Sequence, residues 1–241
     1  MELFAYFYIG VAALLVGFSK TSVGGFGILA VLMMALAIPD KSSPGVLLPM
    51  LIAADIMAVV YYRRSSQWSI LVRLFPATLV GVALAYWLMS ISSGMNYAKV
   101  IGWVILAMLA VDIVMSDRFQ RSMRGPVLTK IVGILAGASS MAANAAGPIF
   151  EIYLLQMGLK KAEFIGTRSW FFLLLNVAKV PFAISLGITN AESLTLNFYY
   201  LPVILAGAYL GKLLVEYINL SVFKILIRIT VLAAAARLIL G

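Results

Sequence analysis

The chain has 241 residues, of which 63% are hydrophobic and only 11% charged, with a formal net charge of +9. A soluble domain carries roughly 45–50% apolar and about 25% charged residues, so nearly all of this chain is expected to lie in lipid. Cysteine and histidine are absent, which excludes disulfides, thiol chemistry, histidine-ligated haem and ordinary zinc sites.

The positive charge does not point to nucleic acid, because the basic residues cluster in short loops as in cytoplasmic loops of membrane proteins. Apolar runs between turn signals give ten segments, at residues 3–18, 24–38, 44–62, 68–90, 97–115, 127–143, 145–158, 164–186, 197–217 and 221–240. The first lacks a basic leader and a small-residue cleavage pattern, and is expected to be a retained membrane segment. A helical span needs about 20 residues, so segments 24–38 and 145–158 are short. Each is expected to pair with the segment before it as a helical hairpin, re-entrant or crossing as short helices. Irregular backbone at such a tip is stable only when buried in protein or facing a watery cavity.

Two polar, small-residue segments break the apolar pattern. Gly17, Ser19 and Gly27 recur as Gly137, Ser139 and Gly147 at a spacing of 120. The match continues as Gly45 with Gly166 and Asp55 with Asn176 at 121, then Pro76 with Pro202 and Gly81 with Gly207 at 126. Lys99 matches Lys224 at 125. The drift falls at loops, where insertions belong. The expected fold is an all-α polytopic membrane protein of two repeats, residues 1–116 and 127–241, joined by a basic cytoplasmic linker at 117–126. Each repeat is one hairpin plus three transmembrane helices. A hairpin contributes zero or two crossings, so each repeat crosses an odd number of times and the second is inverted. Inverted repeats of this kind underlie many alternating-access transporters.

Arg63, Arg64, Arg73, Arg118, Arg121, Arg124, Lys130, Lys160, Lys161, Arg168, Lys212, Lys224 and Arg228 fall on one side. Lys41, Lys99, Lys179 and Arg237 fall on the other. The richer side is expected to be cytoplasmic, with both termini outside. The inner loops are too short for an ATP-binding domain, and no P-loop pattern is present.

Ser19, Lys20, Thr21 and Ser22 precede Gly24 and Gly25 and then a helix. A helix N-terminus offers free N–H groups, and hydroxyls and a lysine beside it make an anion site. The second copy offers Ser139, Ser140 and Asn144 but no lysine. Arg168, Asn176 and Lys179 fall near one face of a single helix. Arg168 and Lys179 are close enough to helix ends to snorkel, or else line the pathway with Arg168 offsetting substrate charge; Asn176 is deeper and is the better candidate for lining it. Asp55 is mid-helix, where a charge is costly and faces the bundle interior. Its expected role is charge balance for Lys20 or Lys179, or proton coupling. Glu151 near a helix start is expected to act as a cap.

The run Gly17-Phe18-Ser19-Lys20-Thr21-Ser22-Val23-Gly24-Gly25-Phe26-Gly27 resembles the first signature of the sulfite exporter TauE/SafE family, also called the 4-toluene sulfonate uptake permease family. The likeness runs on through Pro44-Gly45 to Asp55 and Pro76 to Gly81. In the second half it takes in Gly166-Thr167-Arg168, Asn176, Lys179 and Pro202 to Gly207. The second hairpin departs from it, with Asn144-Ala145-Ala146-Gly147-Pro148 in place of a glycine-rich run.

The resemblance implies secondary transport of sulfur-containing anions such as sulfite, sulfoacetate or other organosulfonates, here expected across a bacterial inner membrane; the inside-negative membrane potential favours export. Composition and spacing alone point only to an anion transporter, with an anion channel or a carrier for another small organic anion as the alternative. The expected partners are the substrate and the lipid bilayer, with no cofactor, no metal and no nucleic acid. An intramembrane enzyme is disfavoured: a serine–histidine or metal site lacks its ligands, and the Gly-x-Gly-Asp motif of an aspartyl protease is missing.

Overall fold

The computed structural model describes residues 3–22, 26–92, 96–114 and 125–214, and residues 232, 236, 239 and 240. Among these it contains nine α-helices and no strand. They are α1 Leu3–Thr21, α2 Phe26–Ala37, α3 Ser43–Tyr62, α4 Trp68–Ile91, α5 Tyr97–Val114, α6 Pro126–Ala143, α7 Gly147–Leu155, α8 Lys161–Ser185 and α9 Ala191–Leu214. A short 3-10 turn, Arg63–Ser65, joins α3 to α4. All but four residues of the tenth apolar segment, and most of the 117–126 linker, lie outside the described residues.

Five helices (α1, α3, α4, α6 and α9) are long and apolar enough to cross a membrane. The chain is a multi-pass membrane protein. Val72, Trp87, Phe198 and Tyr199 are exposed on α4 and α9, as expected for faces turned to lipid and headgroups. The short helices α2 and α7 have 12 and 9 residues, so each rises only about 14–18 Å against a core of about 30 Å. They pack on α1 and α6 respectively, giving the two expected hairpins.

Helix termination follows local chemistry. Pro126 and Pro148 open α6 and α7, where the missing N–H costs nothing. Asn144 closes α6 with φ at 52°, in the left-handed region. Asparagine tolerates that region and so serves where a glycine commonly would.

The two most extensive interfaces are α1 with α9 and α4 with α6. Both are parallel pairs made by glycine. A side chain on Gly17 would run into the Ile204 carbonyl, and one on Gly207 into the Leu14 carbonyl. On the other pair, Gly137 meets the Thr78 carbonyl and Gly81 the Ile134 carbonyl. Small residues allow this approach, which drives helix association in lipid through packing. The third pair, α3 with α8, is antiparallel: Gly45 meets the Ile188 carbonyl at one end and Gly166 the Tyr62 carbonyl at the other.

These contacts come in matched couples. Gly17–Ile204 becomes Gly137–Thr78 when 120 is added to the first residue and 126 subtracted from the second. The same offsets turn Leu14–Gly207 into Ile134–Gly81. Offsets of 121 and 126 turn Gly45–Ile188 into Gly166–Tyr62.

The loops also sort by side. Gln67 donates to Glu163 at 2.7 Å, and its backbone N–H to Thr167 at 2.9 Å. Lys212 lies over the Tyr61 ring at 4.4 Å. The start of α8, the α3–α4 turn and the end of α9 therefore share one end of the bundle, where Arg64 and Lys160 also lie. The Ile188 turn lies at the other end.

Candidate functional site

α8 runs past the ends of both hairpins; its buried Arg168 and Lys179 reach into them, and its buried Asn176 reaches α3. Arg168 is 3% exposed. Its Nη2 donates to the carbonyls of Ser19, Lys20 and Ser22 at 3.2, 3.0 and 3.0 Å. These sit at the C-terminal end of α1, which carries partial negative charge and lacks intrahelical donors. The guanidinium therefore caps α1 from another helix. Its Nη1 contacts Glu151 of α7 at 3.3 Å.

About 12 Å further along α8, Asn176 donates to Asp55 Oδ2 at 2.7 Å. The other Asp55 oxygen meets Lys20 Nζ at 2.8 Å. Lys20 also sits 4.2 Å from the Phe172 ring centroid, a cation–π arrangement. Asp55 is fully buried. A buried charge is tolerable only when paired and hydrogen-bonded, and Lys20 and Asn176 meet both needs.

One turn beyond, Lys179 Nζ donates to the Ser140 carbonyl at 3.1 Å and to Ser140 Oγ at 2.9 Å. It also donates to Asn144 Oδ1, while the Asn144 amide donates to the Pro44 carbonyl at 2.8 Å. Beside it lies a recess about the size of one water, lined by Pro44, Leu48, Met141, Asn144, Lys179, Ala183 and Ile188.

A family model described as sulfite exporter TauE/SafE matches residues 9–238. The chain belongs to the sulfite exporter TauE/SafE family. No curated protein and no solved structure matches it.

The TauE/SafE chain gathers some of the expected site residues and disperses others. Lys20, Asp55 and Asn176 form one hydrogen-bonded group. Ser140, Asn144 and Lys179 form another. Arg168 binds the main chain at Ser19, Lys20 and Ser22. The Thr21 hydroxyl turns away and donates to the Ala208 carbonyl at 2.7 Å, serving the α1–α9 interface. The Ser22 hydroxyl returns to the Phe18 carbonyl at 2.6 Å, and Ser139 donates to Ala136 at 3.3 Å. Gly24 and Gly25 lie outside the described residues.

For both cations one of the two open alternatives falls away, and the cap expected of Glu151 is corrected. Lys179 does not snorkel; it is 2% exposed and held by the second hairpin. Arg168 does not snorkel either, because three carbonyls at the end of α1 hold it inside. Glu151 contacts Arg168 as an ion pair, a partnership that sequence reasoning missed. The signal was available: the chain has only nine acids, so one beside the second hairpin calls for a cation.

Proposed function

We propose that this protein is a secondary carrier for small sulfur-containing anions such as sulfite, sulfoacetate or other organosulfonates, exporting them across a bacterial inner membrane by alternating access. The observation that carries the reading is the row Arg168, Asn176 and Lys179 on α8. It places buried donors at both hairpin ends of a chain from a transporter family. Tetrahedral –SO₃⁻ groups suit several converging charge-assisted donors. The polar path runs along α8 past Ser19, Lys20, Ser140, Asn144, Arg168 and Asn176. The tip residues Ser22 and Ser139 shape its ends, and Asp55 balances charge.

The architecture proposed is two inverted repeats, residues 1–116 and 127–241, with 117–126 as the connecting loop. The matched glycine contacts support it, as does the antiparallel α3–α8 pair. The basic end of the bundle is assigned to the cytoplasm and both termini to the outside. With the inside negative, expelling one anionic charge gains about 2.3 kcal/mol per 100 mV, so export needs no coupling ion. The recess is small, so passage requires α8 and the hairpins to part on one side at a time.

Purified protein in liposomes tests the reading. Saturable flux of sulfite or sulfoacetate, stimulated by the same anion on the far side, is expected. Absence of flux for every sulfur anion ends the reading, and unitary currents would make the protein a channel.

A further inference from the structure

The buried charges do not balance, and the imbalance has a location. Lys20 is matched by Asp55 at 2.8 Å, and Arg168 by Glu151 at 3.3 Å. Lys179 has neutral partners only, Ser140 and Asn144. Among the described residues no carboxylate stands within ion-pair distance of it. Neutral oxygens repay only part of the cost of taking an ammonium out of water. Among the described residues the cluster thus holds three cations against two acids, and Lys179 borders the recess.

The repeat gives this position a second meaning. Ser140 matches Lys20 at the spacing of 120. The second hairpin lacks the lysine of the first, yet Lys179 reaches across from α8 and sets an ammonium on Ser140. Both hairpins therefore have an ammonium at their ends, but only that of the first, Lys20, is paired with a carboxylate, Asp55 of α3.

We propose that Lys179 is the group that receives the anion, with Ser140 and Asn144 as co-ligands, and that Lys20 is held for Asp55. The placement rests on the anion-transport reading and refines it. One spare positive charge suits a monoanion. The remaining walls of the recess, Pro44, Leu48, Met141, Ala183 and Ile188, are apolar, which suits a small alkyl body rather than a fully hydrated ion. The substrate class is a short-chain monosulfonate. On binding, its oxygens replace the acceptors that Lys179 now uses, and flexible Met141 can yield room.

The test uses purified protein, titrated with methanesulfonate, methanedisulfonate and acetate while binding and thermal unfolding are followed. Wild type is expected to bind methanesulfonate at least about tenfold more tightly than the disulfonate. Lys179→Met and Lys179→Gln should each weaken methanesulfonate binding at least about tenfold, the loss expected for one charged hydrogen bond. The ligand-free Lys179→Met protein should also melt higher than wild type, since an incompletely compensated buried charge is gone. Binding that is indifferent to both substitutions overturns the proposal, as does a wild type that binds none of the three anions. A lower ligand-free Tm in both variants would make Lys179 a structural strut and likewise overturn it. Acetate bound through Lys179 with methanesulfonate excluded would leave the placement standing while the sulfur-anion reading falls.

Discussion

Asp55 and Asn176 bond directly to each other at 2.7 Å, and they are the same position of the two sequence repeats, 121 residues apart. Under the inverted-repeat architecture proposed above, the axis relating the two halves would pass between them, as at the centre of a twofold dimer. Here that centre is polar and asymmetric. The first half supplies the charge, the second a neutral amide, and Lys20 forms its ion pair with the carboxylate.

Asp55→Asn should therefore be costly. It strands Lys20 in the interior, and breaking a buried pair on one side costs about 3–5 kcal/mol. Adding Lys20→Met removes the stranded charge and should recover most of the loss. Thermal unfolding in detergent checks this, and equal stability of the single and double variants would contradict the pairing.

Gly17→Val and Gly137→Val should damage the fold alike, since each drives a side chain into a backbone carbonyl of the neighbouring helix. Overpacking costs about 1–3 kcal/mol, more where backbone must shift. Gly147→Ala is the control, because a Cβ there meets nothing within 4 Å. Comparable Tm values for all three variants would refute the interfaces described.

Arg168→Lys should behave almost as badly as Arg168→Met. One ammonium cannot span three carbonyls and a carboxylate that the planar guanidinium reaches together. Hydrogen exchange should show the end of α1 opening in both variants. Protection equal to wild type in the lysine variant would argue against the cap.

The cysteine-free sequence allows a clean orientation test. Arg64→Cys should react with an impermeant thiol reagent only from the cytoplasmic face, and Lys41→Cys only from the outer face. Both side chains are exposed. The reverse pattern would invert the assigned topology.

Much of this architecture was legible in the sequence, because lipid makes hydrophobic length and small-residue spacing decisive. The segment expected at 24–38 is α2 at Phe26–Ala37, and Gly45 and Gly166, matched in the sequence, mark the two ends of the α3–α8 contact. The site was less legible, because its bonds join residues far apart in the chain. No local pattern tells that Arg168 will seek carbonyls at 19, 20 and 22, or that Thr21 will turn toward α9. Lys179 could be read either as lining the pathway or as reaching for the surface, because its helix position is near an end. Only the packed second hairpin closes that route. Asn144 looked like a break in the glycine pattern, yet its left-handed backbone does a glycine's job.

The α1–α9 pairing also sets a timetable for biogenesis. The groove of α1 around Gly17 has to wait for α9, whose first residue comes 170 positions after the last of α1. At ribosomal rates of about 5–20 residues per second, that is roughly 9–34 s during which a newly inserted helix lacks its partner. A truncated nascent chain ending before α9 would leave that notch open to lipid or to an insertion chaperone, and quality-control proteases would meet it in that form.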